Sequence, residues 1–317
     1  MNRRRFVGTL GVGLLGPLAG RWPLPECRDE HFVERWSWAM GQPVHIMVFA
    51  ADEAQGLAAC TAALAELRRV ESRLSLFDDA SDLCELNRQA GGAWMTLDRD
   101  LAAILRQAMV FRRLTSGAFD AAIEPLMRAW GFHRASASAP SAAEIAEARD
   151  AVAHAEVRLE ASRARLPNAH TQLDFGGIGV GYGIDRALAV LRSQGICRAF
   201  VDVSGDCGAI GAPPGEAGWR VDITDPRVEG HMLTTVRLKD QALATSANTA
   251  AELHYGALTI GHVLDPATGR PANALLQASV VARHATAADA FSTAMLVSGK
   301  RLPSPHIAEA YTIPLSS

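Results

Sequence analysis

Gln172-Leu173-Asp174-Phe175-Gly176-Gly177-Ile178-Gly179-Val180-Gly181 is the stretch on which the fold reading turns. Beyond it, Ile184, Leu188 and Leu191 fall on one face of a helix that the spacing starts near Tyr182, with Gly195 past its end as a left-handed cap. Residues 199–203, Ala-Phe-Val-Asp-Val, then read as a strand. A glycine loop running into a helix offers free backbone N–H groups and a favourable dipole to a phosphate. The spacing is not that of a dinucleotide fingerprint. Gly177, Gly179 and Gly181 recur every second residue, and the strand expected ahead of them is short and carries Asp174. Asp202 does stand about 20 residues on, where a ribose-binding acid would be. Two readings stay open: a phosphate loop, or a tight turn where a helix packs closely on a strand.

Working outward, residues 44–50 read as a strand after the turn Met40-Gly41-Gln42-Pro43. Residues 52–74 read as a long amphipathic helix that buries Leu57, Leu64, Leu67 and Leu74 and leaves Glu66, Arg68 and Arg69 to solvent. A second helix spans 98–114 and closes at Ser116-Gly117. The Ala/Ser-rich run 135–143 with Pro140 reads as a surface excursion. Residues 219–224, 234–238 and 279–282 read as strands, and 286–298 as a last helix stopped by Gly299. Strands and helices mix without strict βαβ alternation, which predicts an α+β fold rather than a doubly wound sheet.

The chain has 317 residues, 49% hydrophobic and 21% charged, enough to bury a substantial core. A net charge of −3 argues against electrostatic capture by nucleic acid or an anionic membrane. Five cysteines without CxxC or zinc-type spacing leave at least one thiol unpaired, so no disulfide framework is expected. Residues 1–25 differ from the rest. Asn2-Arg3-Arg4-Arg5-Phe6 followed by a glycine-rich apolar run resembles a twin-arginine export signal. The run is too short for a comfortable membrane span, so the expected location is periplasmic, without stable membrane insertion of the mature protein. An uncleaved N-terminal anchor is the alternative. Arg21, where a lipoprotein has cysteine, disfavours lipidation.

Asp289 and Thr293 lie four apart, hence on one helix face. A carboxylate and a hydroxyl are hard ligands of the kind Mg²⁺ accepts. The competing reading is a capping box between Thr286 and Asp289, and spacing alone favours it. His262, in Gly261-His262-Val263-Leu264-Asp265-Pro266-Ala267-Thr268-Gly269, is either a loop histidine held by the backbone or an acid–base group near neutral pH.

The ordered set of segments resembles the FAD:protein FMN transferase (ApbE) family from about residue 40 to residue 299. Met40-Gly41 resembles its opening MGT. Residues 71–77 resemble ExxMS-x-aromatic, and residues 81–87 SxLxxLN. Residues 116–132 resemble GAFDPT…PL…WGF, and 174–181 DLGGIAKG. Ser204-Gly205-Asp206 resembles GGD, and residues 219–226 W-x-x-x-I-x-DP. Ala244-Thr245-Ser246 resembles ATSG, residues 262–269 HIIDPxTG, and 289–293 DALAT. The resemblance implies one α+β domain over 32–303, with mixed, mainly antiparallel sheets and packed helices, and a C-terminal tail at 304–317. It implies Mg²⁺-dependent transfer of FMN from FAD to a Thr or Ser hydroxyl of an acceptor flavoprotein, with release of AMP. Met40, Phe77, Ala118, Phe119, Asp120 and Asp174 would line the FAD site. The Gly179 carbonyl, Asp289 and Thr293 would hold the metal, and His262 would be the general base. An FAD pyrophosphatase and a non-catalytic flavin-binding protein are the alternatives. The chain departs from the family pattern at Val180, commonly Lys or Glu, at Ala247-Asn248, usually Gly-Asp, and at Ala121-Ala122, usually Pro-Thr.

Overall fold

Alternating apolar residues in the first two strands start the central sheet. In this computed structural model, which describes residues 31–315 except 134–137, 229, 249–251 and 257, β1 (His31–Ala39) and β2 (Gln42–Ala50) form a hairpin. Its two-residue turn, Met40-Gly41, has φ of 58° and 68°, the positive values that match the twist of the flanking strands. The N–H of Gly41 donates to Glu71 Oε1 at 2.9 Å and ties the turn to α1 (Glu53–Leu74), which Asp52 caps.

Then follow α2 (Asp82–Arg88), β3 (Met95–Thr96), α3 (Arg99–Leu114), a 3₁₀ turn at Ala121–Ile123, α4 (Glu124–Trp130) and α5 (Ala142–Ala153). Two short strands, β4 (Arg158–Glu160) and β5 (Arg163–Arg165), precede α6 (Gly179–Ser193). The remaining chain holds β6 (Arg198–Val203), β7 (Asp206–Ile210), β8 (Trp219–Thr224), β9 (Met232–Leu238) and β10 (Ala242–Ala247). It continues with β11 (Glu252–Tyr255), β12 (Leu258–Gly261), β13 (Leu275–Ala282), α7 (Ala285–Ser298) and β14 (Ile307–Pro314).

Seven strands make the main sheet, in the order β1-β2-β6-β7-β10-β13-β14. Every pairing in it is antiparallel, so the sheet is less mixed than the sequence suggested. One face carries Val44, Ile46, Val48, Val201 and Val203 against Leu64 and Leu67 of α1 and Ile184, Leu188 and Leu191 of α6. Each such buried aliphatic side chain contributes roughly 1.5–3 kcal/mol. Further along, Phe291 of α7 packs with Ile104, Leu105 and Phe111 of α3. The opposite face is closed by the β8–β9 hairpin, where Trp219 stacks on Phe200 at 5.5 Å beside Leu243 and Val281. Covered on both sides, β13 is buried along its whole length.

Four details differ from the sequence reading. The segment ahead of Asp174 is not a strand; its N–H donates to Ala121 O at 2.7 Å in an irregular connection. α6 starts at Gly179 rather than Tyr182, because the alternating glycines are already helical. Leu57 is exposed and Glu66 turns inward, since α1 meets α3 and α6 along its Glu66 side. The segment set aside as a tail supplies β14, which covers the outer edge of β13. Cys60, Cys84, Cys197 and Cys207 are free thiols. The export signal and part of the Ala/Ser run lie outside the described residues, within which no helix is long and apolar enough to cross a membrane.

Candidate active site

The position of Asp289 follows from how α7 is capped. Asp185 of α6 accepts the N–H of Ala285 (2.9 Å), and its other oxygen accepts the N–H (2.9 Å) and the hydroxyl (2.6 Å) of Thr286. The helix therefore begins before Thr286, and the Thr286–Asp289 capping box expected from spacing does not form. The Asp289 carboxylate is left to face α6, where Oδ2 accepts the N–H of Gly181 at 3.0 Å. A side chain at Gly181 would put its Cβ 2.3 Å from the Ala285 carbonyl oxygen, so this approach requires glycine. Gly177 similarly passes over Thr293: a Cβ there would stand 3.0 Å from the Thr293 hydroxyl.

Proton counting orients that hydroxyl. Ser292 Oγ donates to the Asp289 carbonyl (2.9 Å), so its contact with Ser246 Oγ (2.8 Å) must be donated by Ser246. Ser246 then accepts from Thr293 at 3.2 Å, and the Thr293 oxygen keeps its lone pairs for the cleft. On β7, Asp206 accepts the N–H of Thr245 at 2.9 Å and lies beside Asp289. Burial lifts the carboxyl of Asp289 well above its ordinary range, and the Asp206 charge lifts it further. Burial lifts Asp206 as well. Among the described residues no cationic side chain pairs with either. A buried carboxylate, a half-buried one and a hydroxyl, all hard oxygens and short of positive charge, fit a divalent cation such as Mg²⁺.

A second group lies across the glycine loop. Glu124, buried at the start of α4, accepts from Arg128 Nε through one oxygen and contacts His133 Nδ1 through the other, each at 2.5 Å. Glu124, His133 and Asp174 each offer an atom within 4.8 Å of the others. Both Glu124 oxygens are engaged and one partner is a guanidinium, so this is an ion-pair network rather than a cation cage. Burial raises the Asp174 carboxyl, with the Glu124 charge adding to it and His133 opposing.

Both groups open into one cleft of about 970 Å³ across an end of the main sheet. Its walls are the Met40-Gly41 turn, Phe77, the 118–120 loop, the 174–177 loop, the Ser204–Asp206 turn region, the end of β10 and the segment after β12. All ten residues singled out from sequence line it: Met40, Phe77, Ala118, Phe119, Asp120, Asp174, Gly179, His262, Asp289 and Thr293. They do not contribute alike. Asp120 is committed internally, to Arg112 Nε (2.7 Å) and the Ala122 N–H (3.0 Å), so it shapes the Ala118–Phe119 loop. Phe77 is 83% exposed and free to meet a ring. Asn248 is buried, and its amide donates to the carbonyls of Ala272 (3.0 Å) and Leu275 (2.7 Å). An ionised aspartate could make neither bond, which accounts for the amide here. Val180 packs against the α1–α6 core while lining the cleft.

The sequence matches the ApbE family over residues 40–310. This chain belongs to the ApbE family. Similar proteins include the FAD:protein FMN transferase of Treponema pallidum, 32% identical over 250 residues covering 74% of this chain and 69% of that protein. That of Vibrio cholerae is 26% identical over 253 residues, covering 78% and 75%. Among solved structures, the ApbE protein of Thermotoga maritima matches with a TM-score of 0.83 at 28% identity, over 90% of this chain and 94% of that one. The flavin transferase ApbE of Vibrio cholerae, at 22% identity and a TM-score of 0.75, agrees in fold over 90% and 98%.

Within this ApbE fold, sequence reasoning passed over Glu124, His133 and Ser292, and gave Asp206 and Ser246 no role. Two ionisable residues bracketing the mostly apolar run from Pro125 to Phe132, with Arg128 inside it four residues after Glu124, were the available signal for the first pair.

Proposed function

We propose that this chain transfers FMN from FAD to a Thr or Ser hydroxyl of an acceptor flavoprotein and releases AMP. The observation that carries this reading is the Asp289 end of the cleft. An unneutralised oxygen cluster meets a glycine loop that enters a helix N-terminus, the setting for a pyrophosphate with its cation. Asp289, Thr293 and the Gly179 carbonyl are the proposed Mg²⁺ ligands, with Asp206 adding negative charge beside them. When bound, Mg²⁺ would neutralise the pyrophosphate and make its phosphorus more electrophilic.

The chain's own residues then have positioning and proton work to do. The acceptor oxygen attacks the phosphorus on the FMN side, its bond to the bridging oxygen breaks, and AMP departs with that oxygen. The acceptor proton goes to a base, for which His262 on the cleft wall is the proposed residue. Met40, Phe77, Ala118, Phe119 and Asp174 are the proposed walls for FAD, with Phe77 offering an exposed aromatic face. The arginine-led N-terminus supports a periplasmic site of action, reached by twin-arginine export.

The test is mass spectrometry of a Thr-containing acceptor domain after incubation with the purified protein, FAD and Mg²⁺. Covalent FMN on the acceptor with an equal amount of AMP is expected. AMP release that ignores the acceptor, with the acceptor unmodified, would replace transfer by hydrolysis.

A further inference from the structure

The ion-pair network beyond the glycine loop has no part in the transfer chemistry above. His133 is nonetheless on the cleft wall, its side chain 16% exposed, while the Glu124 side chain beneath it is 1% exposed. Glu124 occupies Nδ1 of the imidazole, which leaves Nε2 for a ligand. His133 makes no ion pair with Asp174, although the two come within 4.8 Å. Asp174 accepts the N–H of Gly176 at 2.7 Å through one oxygen and keeps acceptor capacity on the other. The exposed ring of Phe77 meets His133 edge-on, with centroids 5.5 Å apart.

We propose that His133 and Asp174 form a donor–acceptor pair that reads the edge of a heteroaromatic ring of the substrate, with Glu124 as the positioning residue for His133. This rests on the dinucleotide reading of the cleft. Both rings of FAD carry the complementary edge: an acceptor nitrogen beside an amino group in adenine, and a carbonyl beside an N–H in the flavin. An imidazolium N–H beside a carboxylate pairs with either edge through two parallel hydrogen bonds, and Phe77 stands where it can cover the ring face.

The charge state of His133 gives the pair a pH signature. The charged groups bearing on it are Glu124 and Arg128 from α4 and Asp174 from the glycine loop. Burial opposes its charge, but the Glu124 hydrogen bond and the Asp174 and Glu124 charges outweigh burial and Arg128, and lift it above the ordinary 6.5. Below the raised value both nitrogens carry protons, and Nε2 donates. Above it the remaining proton stays on Nδ1 toward Glu124. Nε2 then becomes an acceptor beside a carboxylate, mismatched to the ring edge.

The experiment uses the full chain, AMP release from FAD, and direct binding of ADP and of FMN as half-substrates. In the wild type, KM for FAD should rise about tenfold between about pH 6 and about pH 9. His133→Gln keeps a neutral donor and should flatten that rise, with kcat within about threefold of wild type. His133→Phe should raise KM about tenfold at the lower pH and weaken either ADP or FMN selectively, which identifies the ring. Glu124→Gln should move the KM step to lower pH; if it fails to fold, the two His133 variants still decide. A pH-independent KM in the wild type, a kcat loss at unchanged KM in His133→Phe, or unchanged binding of both half-substrates would overturn the proposal. Loss of the parent reading looks different: no AMP from the wild type, while ADP or FMN binding still depends on His133 and on pH.

Discussion

Adjacent residues of α6 serve two buried acids in opposite ways. The Tyr182 hydroxyl donates to Asp100 at 2.7 Å, Arg69 reaches the other Asp100 oxygen at 2.6 Å, and Arg186 approaches Glu66 at 2.9 Å. Two acids and two bases, with a phenol, join α1, α3 and α6 in a network complete within the chain. Gly181, the residue before Tyr182, gives Asp289 only a backbone N–H, and the neighbouring charge is another carboxylate, Asp206. Burial raises the Asp100 carboxyl, but Tyr182 and Arg69 more than offset it and hold the group below its ordinary value. Burial and Asp206 push Asp289 the other way. The first arrangement stabilises the fold. The second is a charge deficit that the chain does not fill, as expected where a cation arrives from solution.

The largest effect should come from removing the deficit. Asp289→Asn deletes a proposed metal ligand and should slow AMP release by roughly 10²–10³-fold at saturating FAD. Because it also removes like-charge repulsion, the metal-free variant should unfold no earlier than metal-free wild type, and can gain about 1 kcal/mol. Mg²⁺ should raise the Tm of wild type and leave that of the variant unchanged, and chelation should reproduce the kinetic loss. A variant that is inactive because it is several degrees less stable would place Asp289 with Asp100, as a structural acid.

Breaking the complete network should do the converse. Asp100→Ala leaves Arg69 and Arg186 without that partner and should cost about 3 kcal/mol in urea unfolding, the low end for a buried pair because both arginines keep some solvent. Transfer by the remaining folded protein should stay within about threefold of wild type. The sign of the pH effect follows from the depressed carboxyl. Its contribution is present above the ordinary value of 3.8 and is lost as pH falls through the lower value in the folded protein. Wild type should therefore lose urea resistance steeply below about pH 4, and Asp100→Asn should lose less over the same range.

The two regions differed in how far the sequence disclosed them. Asp289 and Thr293 were legible because helix periodicity puts residues four apart on one face, but periodicity also allowed the capping box. Asp185, about 100 residues away in sequence, decided the matter, and no local pattern announces a cap supplied by another helix. The Asp100 network was hidden for a related reason. Glu66 and Arg69 look like a solvated helix face until α3 and α6 arrive, and α6 comes close to α1 at Gly183, where an added Cβ would stand 3.2 Å from Leu67. Helices α1, α3, α6 and α7 and strands β2, β6 and part of β13 followed from apolar spacing, whereas β7 and β10 went unread and β14 was missed because an edge strand, half exposed, has a weak alternation. Glu124 and His133 were missed because their pairing depends on the bend after α4, closed by the left-handed Gly131.

The smallest expected effect probes how well the deficient region is organised. Ser246 accepts the Thr293 proton and passes its own to Ser292, so the Thr293 oxygen turns its lone pairs outward. Ser246→Ala removes that acceptor and leaves the Thr293 hydroxyl free to rotate. The loss of one neutral hydrogen bond is worth about 1 kcal/mol, so the apparent Mg²⁺ affinity should fall about fivefold. Saturating Mg²⁺ should restore kcat, because no group touching the reacting phosphorus has changed, and Ser246→Thr should retain the wild-type affinity. A kcat deficit that persists at saturating Mg²⁺ would mean that Ser246 acts on the reaction directly. The cation site would then extend to β10, beyond the α6, α7 and β7 residues that form the deficit.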